Sequence, residues 1–150
     1  MRFRHLCVTF FIFLGSLSVF SQTDGVGVGI IVGEPTGVSI KSWQSPTRAL
    51  DIGIAWSFAD EDDFHVHADY LWHNFSVFAP KKGQMPFYYG VGGRVKFTSK
   101  TRVGIRGVLG IAYIFPNEPF DIFLEVAPLF DFVPDTDFTF NAAIGFRFFF

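Results

Sequence analysis

Cysteine is nearly missing from this 150-residue sequence: the one example, Cys7, falls within the first ten residues. Beyond it no disulfide, thiolate nucleophile or cysteine-based metal site can be built. Past residue 21 no stretch stays apolar for the roughly 18 residues that a membrane-spanning helix needs, because charges recur every few residues. Helical spacing is hard to find, and glycine and β-branched residues stand where a helix would have to run. A basic excess is lacking too, with 12 Lys and Arg against 14 Asp and Glu, which argues against nucleic acid as a partner. What the chain has in plenty is phenylalanine, 22 residues in a chain that is 19% aromatic. That is far more than an ordinary core of this size uses. No linker, low-complexity tract or shift in composition divides the sequence, so a single all-β domain is expected.

The first segment reads as a leader. Arg2, Arg4 and His5 make a basic start, Leu6–Leu14 a short apolar core, and Gly15–Ser21 a small-residue stretch with Val19 and Ser21 placed for cleavage before Gln22. This is the layout of a secretory signal peptide, and its core is too short to span a bilayer. Cys7 lies too early to become the lipidated first residue of a lipoprotein. The expected division is a signal peptide over residues 1–21 and a barrel over residues 22–150. Cleavage removes Cys7, Arg2 and Arg4, leaving ten basic and fourteen acidic side chains, a formal charge of −4.

The last stretch, Phe138–Phe150, sets the pattern for the rest. Phe138, Phe140, Ala142, Ile144, Phe146, Phe148 and Phe150 share one face, while Thr139, Asn141, Ala143, Gly145, Arg147 and Phe149 share the other. A period of two is a strand. One face is wholly apolar and the other mostly small or polar, as in a strand with lipid on one side and a lumen on the other. Gly145 followed by Phe148 and Phe150 is similar to the C-terminal signature of bacterial outer-membrane barrels. These three residues are the expected assembly signal, read by the barrel assembly machinery.

Turn chemistry divides the remainder into strands at Gly25–Gly33, Val38–Gln44, Arg48–Phe58, Phe64–Phe75, Phe87–Phe97, Arg102–Phe115 and Phe120–Phe132, with Phe138–Phe150 as the eighth. The expected fold is an eight-stranded antiparallel up-and-down transmembrane β-barrel, with both termini on the periplasmic side. Alternation sends Val28, Ile30, Leu50, Trp56, Tyr70, Trp72, Tyr89, Ile105 and Leu124 outward. It sends Lys41, Asp51, His65, His67, Asp69, His73, Arg94, Lys96, Arg106, Asp121, Glu125 and Arg147 inward. A soluble sandwich would do the reverse. The longest connection, Val77–Pro86, follows an even strand and so falls on the periplasmic side, where short turns are the rule. Either the barrel departs from that rule or the strand count is off by one.

Three constellations invite chemistry. His65 and His67 lie about 7 Å apart on one strand face, a spacing that can supply two zinc ligands with Asp69 orienting one imidazole. Two imidazoles alone hold zinc weakly, and the expected neighbours, Arg94 and Lys96, would repel the ion and engage Asp69 instead, so lumen lining is expected and no metal. The inner charges Lys41, Asp51, His65, His67, Asp69, Arg94, Lys96, Arg106, Glu125 and Arg147 form a nearly balanced polar network, with Glu34 near the first turn. An eight-stranded interior is just wide enough for side chains to fill, so this set plugs the lumen; a narrow ion or solute path is the alternative. Ser57, Ser76, His73 and Glu61 near strand ends could serve a lipid-modifying enzyme, but no spacing forces a triad. No catalytic residue and no cofactor is expected. Gly25-Val26-Gly27-Val28-Gly29 has no helix after it and is not a dinucleotide fingerprint.

Several segments together resemble a known family: Gly33-Glu34-Pro35-Thr36-Gly37, Asp69-Tyr70-Leu71-Trp72-His73, Pro86-Phe87-Tyr88-Tyr89-Gly90, Phe115-Pro116-Asn117, Pro119-Phe120-Asp121-Ile122-Phe123-Leu124-Glu125 and Pro134-Asp135-Thr136. They are similar to a family of small bacterial outer-membrane β-barrel proteins of unknown function, compared with the OmpA transmembrane domain and OmpX. The resemblance implies a fold and a location, the outer membrane of a Gram-negative-type bacterium, and brings no catalytic residues. The expected role is structural or interactive. The expected partners are outer-membrane lipid, the assembly machinery, and an envelope or host protein at the external turns, where Asp60–Asp63 is the most distinctive patch.

Overall fold

A computed structural model describes residues 23–34, 36–57 and 63–150. The expected leader and Asp60, Glu61 and Asp62 of the acidic turn lie outside them. The chain forms eight strands: β1 Val26–Gly33, β2 Thr36–Trp43, β3 Arg48–Ser57, β4 Asp63–Asn74, β5 Phe87–Phe97, β6 Arg102–Ile114, β7 Phe120–Val133 and β8 Asp137–Phe149. Each pairs antiparallel with the next, and β1 pairs with β8, so the sheet closes into a barrel. The strand boundaries follow the turn signals to within a few residues. Thr36 and Gly37 join β2, Val133 joins β7, and Asp63 and Asp137 open β4 and β8, because hairpin pairing extends past the residues that mark each turn.

The register fixes the barrel's shape. Starting at Arg147, the paired row runs through Gly29, Ser39, Gly53, His67, Arg94, Gly104 and Asp131, and returns to β8 at Asp137, ten residues from its start. A stagger of that size over eight strands tilts them about 40° from the axis and leaves an interior that side chains can fill. Strands β3 to β8 have the roughly 9–11 residues that a tilted membrane strand needs, and β1 and β2, at eight each, fall just short.

Burial alternates along every strand with the expected parity. Ile30, Val32, Val91, Ile105, Leu124, Phe140 and Ile144 are more than half exposed, whereas Lys41, Asp121 and Arg147 are fully buried. Arg48 departs from the rule that strand charges face inward. It sits at the first residue of β3, on the outer face opposite Trp72, where the strand leaves the rim. Glycines on the inner face make room for large neighbours. A Cβ at Gly53 would strike the His67 imidazole, one at Gly110 the Tyr88 ring, and one at Gly145 the Phe123 ring.

All eight strands are present, so the strand count is not off by one. The connection between β4 and β5 is twelve residues, 75–86, and lies at the same end as both termini. That terminal end is closed by Trp43, Ala49, Ile114 and Phe149, with Phe75 packed against them. Outside, tyrosine and tryptophan gather towards the same end: Tyr70 against Trp72 at 5.0 Å and Trp72 stacked on Tyr89 at 5.8 Å. The opposite, distal end carries Trp56, Phe64, Phe97, Phe130, Phe132, Phe138 and Phe140.

Candidate functional site: the barrel interior

The inner face brings five cationic side chains, Lys41, Arg94, Lys96, Arg106 and Arg147, together with six carboxylates, Asp51, Asp63, Asp69, Asp121, Glu125 and Asp131. They settle into layers along the axis. Nearest the terminal end, Lys41 Nζ lies 2.8 Å from His73 Nε2 and sits over the rings of Trp43 and Tyr88. His73 Nδ1 lies 3.2 Å from the carbonyl oxygen of Thr47.

The next layer centres on Arg147. Its Nε and Nη2 donate to the two oxygens of Asp121 at 3.0 and 3.2 Å, and its Nη1 donates to Asp51 at 3.1 Å and to Ser39 at 3.4 Å. The Phe123 ring lies against the guanidinium at 4.0 Å. One side chain on β8 thus ties β2, β3 and β7 together across the lumen. Above it, Arg106 Nη2 donates to Glu125 at 3.1 Å, and Arg106 Nε lies 2.9 Å from Asp69 Oδ1 as an ion pair without an aligned hydrogen bond. Tyr88 donates to the other Glu125 oxygen at 2.8 Å. Towards the distal end, Arg94 engages Asp131 through two donors at 2.6 and 3.1 Å, and Lys96 meets Asp63 at 3.0 Å. Arg102 and Asp137, 3.5 Å apart, form an exposed pair on the distal rim.

Every inner residue named from the sequence therefore faces the interior, but several pairings differ from expectation. Asp69 is held by Arg106 and by His67, not by Arg94 or Lys96. The expectation drew only on adjacent strands. In so narrow a barrel an arginine on β6 reaches past β5 to β4, and Arg94 on β5 reaches past β6 to Asp131 on β7. Asp51 and Asp69 are direct register partners on β3 and β4, a like-charge juxtaposition that destabilises a sheet unless countered. Each turns to its own arginine. Lys41, expected among carboxylates, is partnered by His73 instead. Asp131 and Asp63 are additions to the network. The parity of β7, running through Asp121 and Glu125, could have found Asp131; Asp63 was hidden in the acidic turn.

The histidine pair is arranged as part of this packing. The two rings are 5.9 Å apart, and His67 Nδ1 lies 3.1 Å from Asp69 Oδ2. His65 Nε2 has no hydrogen-bond partner among the described residues. Among the described residues no group of three or more candidate ligands comes together, and a zinc site needs at least three protein ligands. Protein purified without chelator should carry no stoichiometric zinc. Elemental analysis that finds one zinc per chain, lost in the double variant His65→Ala/His67→Ala, overturns this.

The rim residues do not converge. Ser57 ends β3 at the distal end, while His73 and Ser76 lie at the terminal end, and Glu61 is outside the described residues. Glu34 is exposed at the first turn and lines a cavity of about 10 Å³, room for about one water, shared with His67, Arg106, Glu125 and Asn141.

No family model matches the sequence, and no curated protein matches it. Among solved structures the chain is similar to the N-terminal β-barrel domain of Pseudomonas aeruginosa OprF. The likeness has a TM-score of 0.59 at 14% identity, over 83% of this chain and 95% of that one. The architecture reached from the residues is thus a known one: this chain has the closed β-barrel fold of that OprF domain.

Proposed function

We propose that the protein is a closed barrel of the bacterial outer membrane, exported by way of residues 1–21, with a structural or interactive role rather than a catalytic one. The observation that carries this reading is the filled interior: buried ion pairs around Arg147, Arg106 and Arg94 occupy it at three successive levels. A conducting path would have to break pairs whose desolvated partners are costly to leave alone. The exposed apolar outer wall and the likeness to the OprF barrel support the membrane location. With the termini periplasmic, the external turns are 34–35, 58–62, 98–101 and 134–136. The acidic turn at Asp60–Asp63 is the most distinctive surface for an envelope or host protein. Outer-membrane lipid surrounds the wall, and the assembly machinery inserts the chain through Gly145, Phe148 and Phe150.

Planar bilayers test the central claim. Purified protein should insert without producing steady conductance steps. Reproducible open-channel steps overturn the plug in favour of a narrow pore, and acylation or deacylation of lipid A by the purified protein overturns it in favour of a lipid-modifying enzyme.

A further inference from the structure

The long terminal-end connection offers a surface that the closed-barrel role does not use. Its first residue, Phe75, packs with the side chains that close the terminal end, and residues 84–86 continue the β5–β6 ladder. Gln84 and Ile114 bond each other through both backbone groups, at 2.8 and 3.1 Å, and Ala112 N–H donates to the Pro86 carbonyl at 3.1 Å. Gly83 adopts a φ of 71°, and Tyr113, on the outer face of β6, donates its hydroxyl to the Lys82 carbonyl at 3.1 Å. The second half of the loop, residues 82–86, is therefore fixed at the rim, with Lys82 beside the outer face of β6. Along it Val77 and Phe78 are exposed, and Lys81 and Lys82 are both exposed. No Asp or Glu occurs anywhere between Asp69 and Glu118.

We infer that the 75–86 loop is a binding site for anionic glycerophospholipid of the periplasm-facing leaflet. Lys81 and Lys82 take the phosphate, and Val77 and Phe78 enter the acyl boundary. The inference rests on the membrane reading above, which puts the termini and this loop on the periplasmic side. The chemistry is specific in kind. Paired ammonium groups beside an aromatic belt sit at headgroup depth, and exposed apolar side chains next to them favour the interface over water. A protein partner would need a hydrogen-bonding rim and a larger apolar patch than two side chains.

The test uses full-length mature protein refolded in nonionic detergent with equal amounts of phosphatidylglycerol and phosphatidylcholine of matched chains. Retained lipid is counted by native mass spectrometry. Wild type should retain phosphatidylglycerol in preference, by roughly fivefold per lysine at low salt, with the preference collapsing at high salt. Lys81→Gln/Lys82→Gln should erase it, and Lys81→Arg/Lys82→Arg should keep it. Heat-modifiable migration on gels reports insertion separately. Inserted protein with no preference, or one unchanged in the glutamine variant, overturns the lipid site and leaves the membrane reading intact. Preferential retention of added lipid A also overturns it. A chain that stays soluble without detergent and shows no heat-modifiable band sinks both readings together.

Discussion

Arg147→Met destabilises the barrel more than any other single truncation of the interior, by about 3–5 kcal/mol in urea titrations of protein refolded into lipid vesicles. The size follows from what remains. Arg147 is fully buried, and its loss leaves Asp51 and Asp121 inside the barrel without a cation. Lys41 is the nearest replacement on the same end, but its Nζ is engaged with His73. Ser39 offers Asp51 one hydrogen bond at 3.1 Å, too little to offset a buried charge. Removing the charge on all sides should reverse most of the loss. In Arg147→Met/Asp51→Asn/Asp121→Asn the interior loses its uncompensated ions and keeps neutral amides, which cost less to bury than an unpaired charge. A single Arg147→Met that unfolds at the wild-type urea concentration would show that the pair network contributes packing rather than charge balance.

The sequence carried the faces and concealed the partners. Alternation is a local property: a residue's parity within its strand decides whether it meets the lumen, so Lys41, Arg94, Arg106 and Arg147 could be placed inward from spacing alone. The pairs are set by the ten-residue stagger and by the lumen's width, neither of which any one strand displays. Arg147 meets Asp51, 96 positions away, because four inner faces converge on the axis. Adjacent-strand reasoning assigned Asp69 to Arg94 or Lys96 for want of that stagger. Strand count was legible from turn residues; which end carries the loop at 75–86 stayed open in the sequence, and the eight paired strands put it at the end of both termini. The interior glycines were visible as composition only. That Gly53 clears space for His67 and Gly145 for Phe123 emerges once the register is known.

The tail of β8 combines a packing role with the assembly role proposed for it, and substitution can separate the two. Gly145 faces inward, where a Cβ would run into the Phe123 ring that packs on the Arg147 guanidinium. Phe148 and Phe150 face outward, with Phe148 half-buried against Phe120 and Phe150 exposed. The Phe150 N–H also donates to the Val26 carbonyl at 2.9 Å, closing the seam between β8 and β1. Gly145→Val should therefore damage the folded state itself. Displacing Phe123 overpacks the layer and disturbs Arg147, costing about 1–3 kcal/mol in refolded protein and more if the arginine loses a partner. Phe150→Lys removes an exposed aromatic and leaves the backbone bond in place, so refolded protein should unfold within about 1 kcal/mol of wild type, a lysine near the interface being cheap. In cells the same variant should lower the heat-modifiable, membrane-inserted fraction several-fold while export continues, as the proposed reading of the aromatic tail by the assembly machinery requires. Pulse-labelling followed by fractionation measures both steps. Wild-type insertion of Phe150→Lys would remove the assembly role from this residue, and equal losses of refolded stability in the two variants would show the tail acting through packing alone.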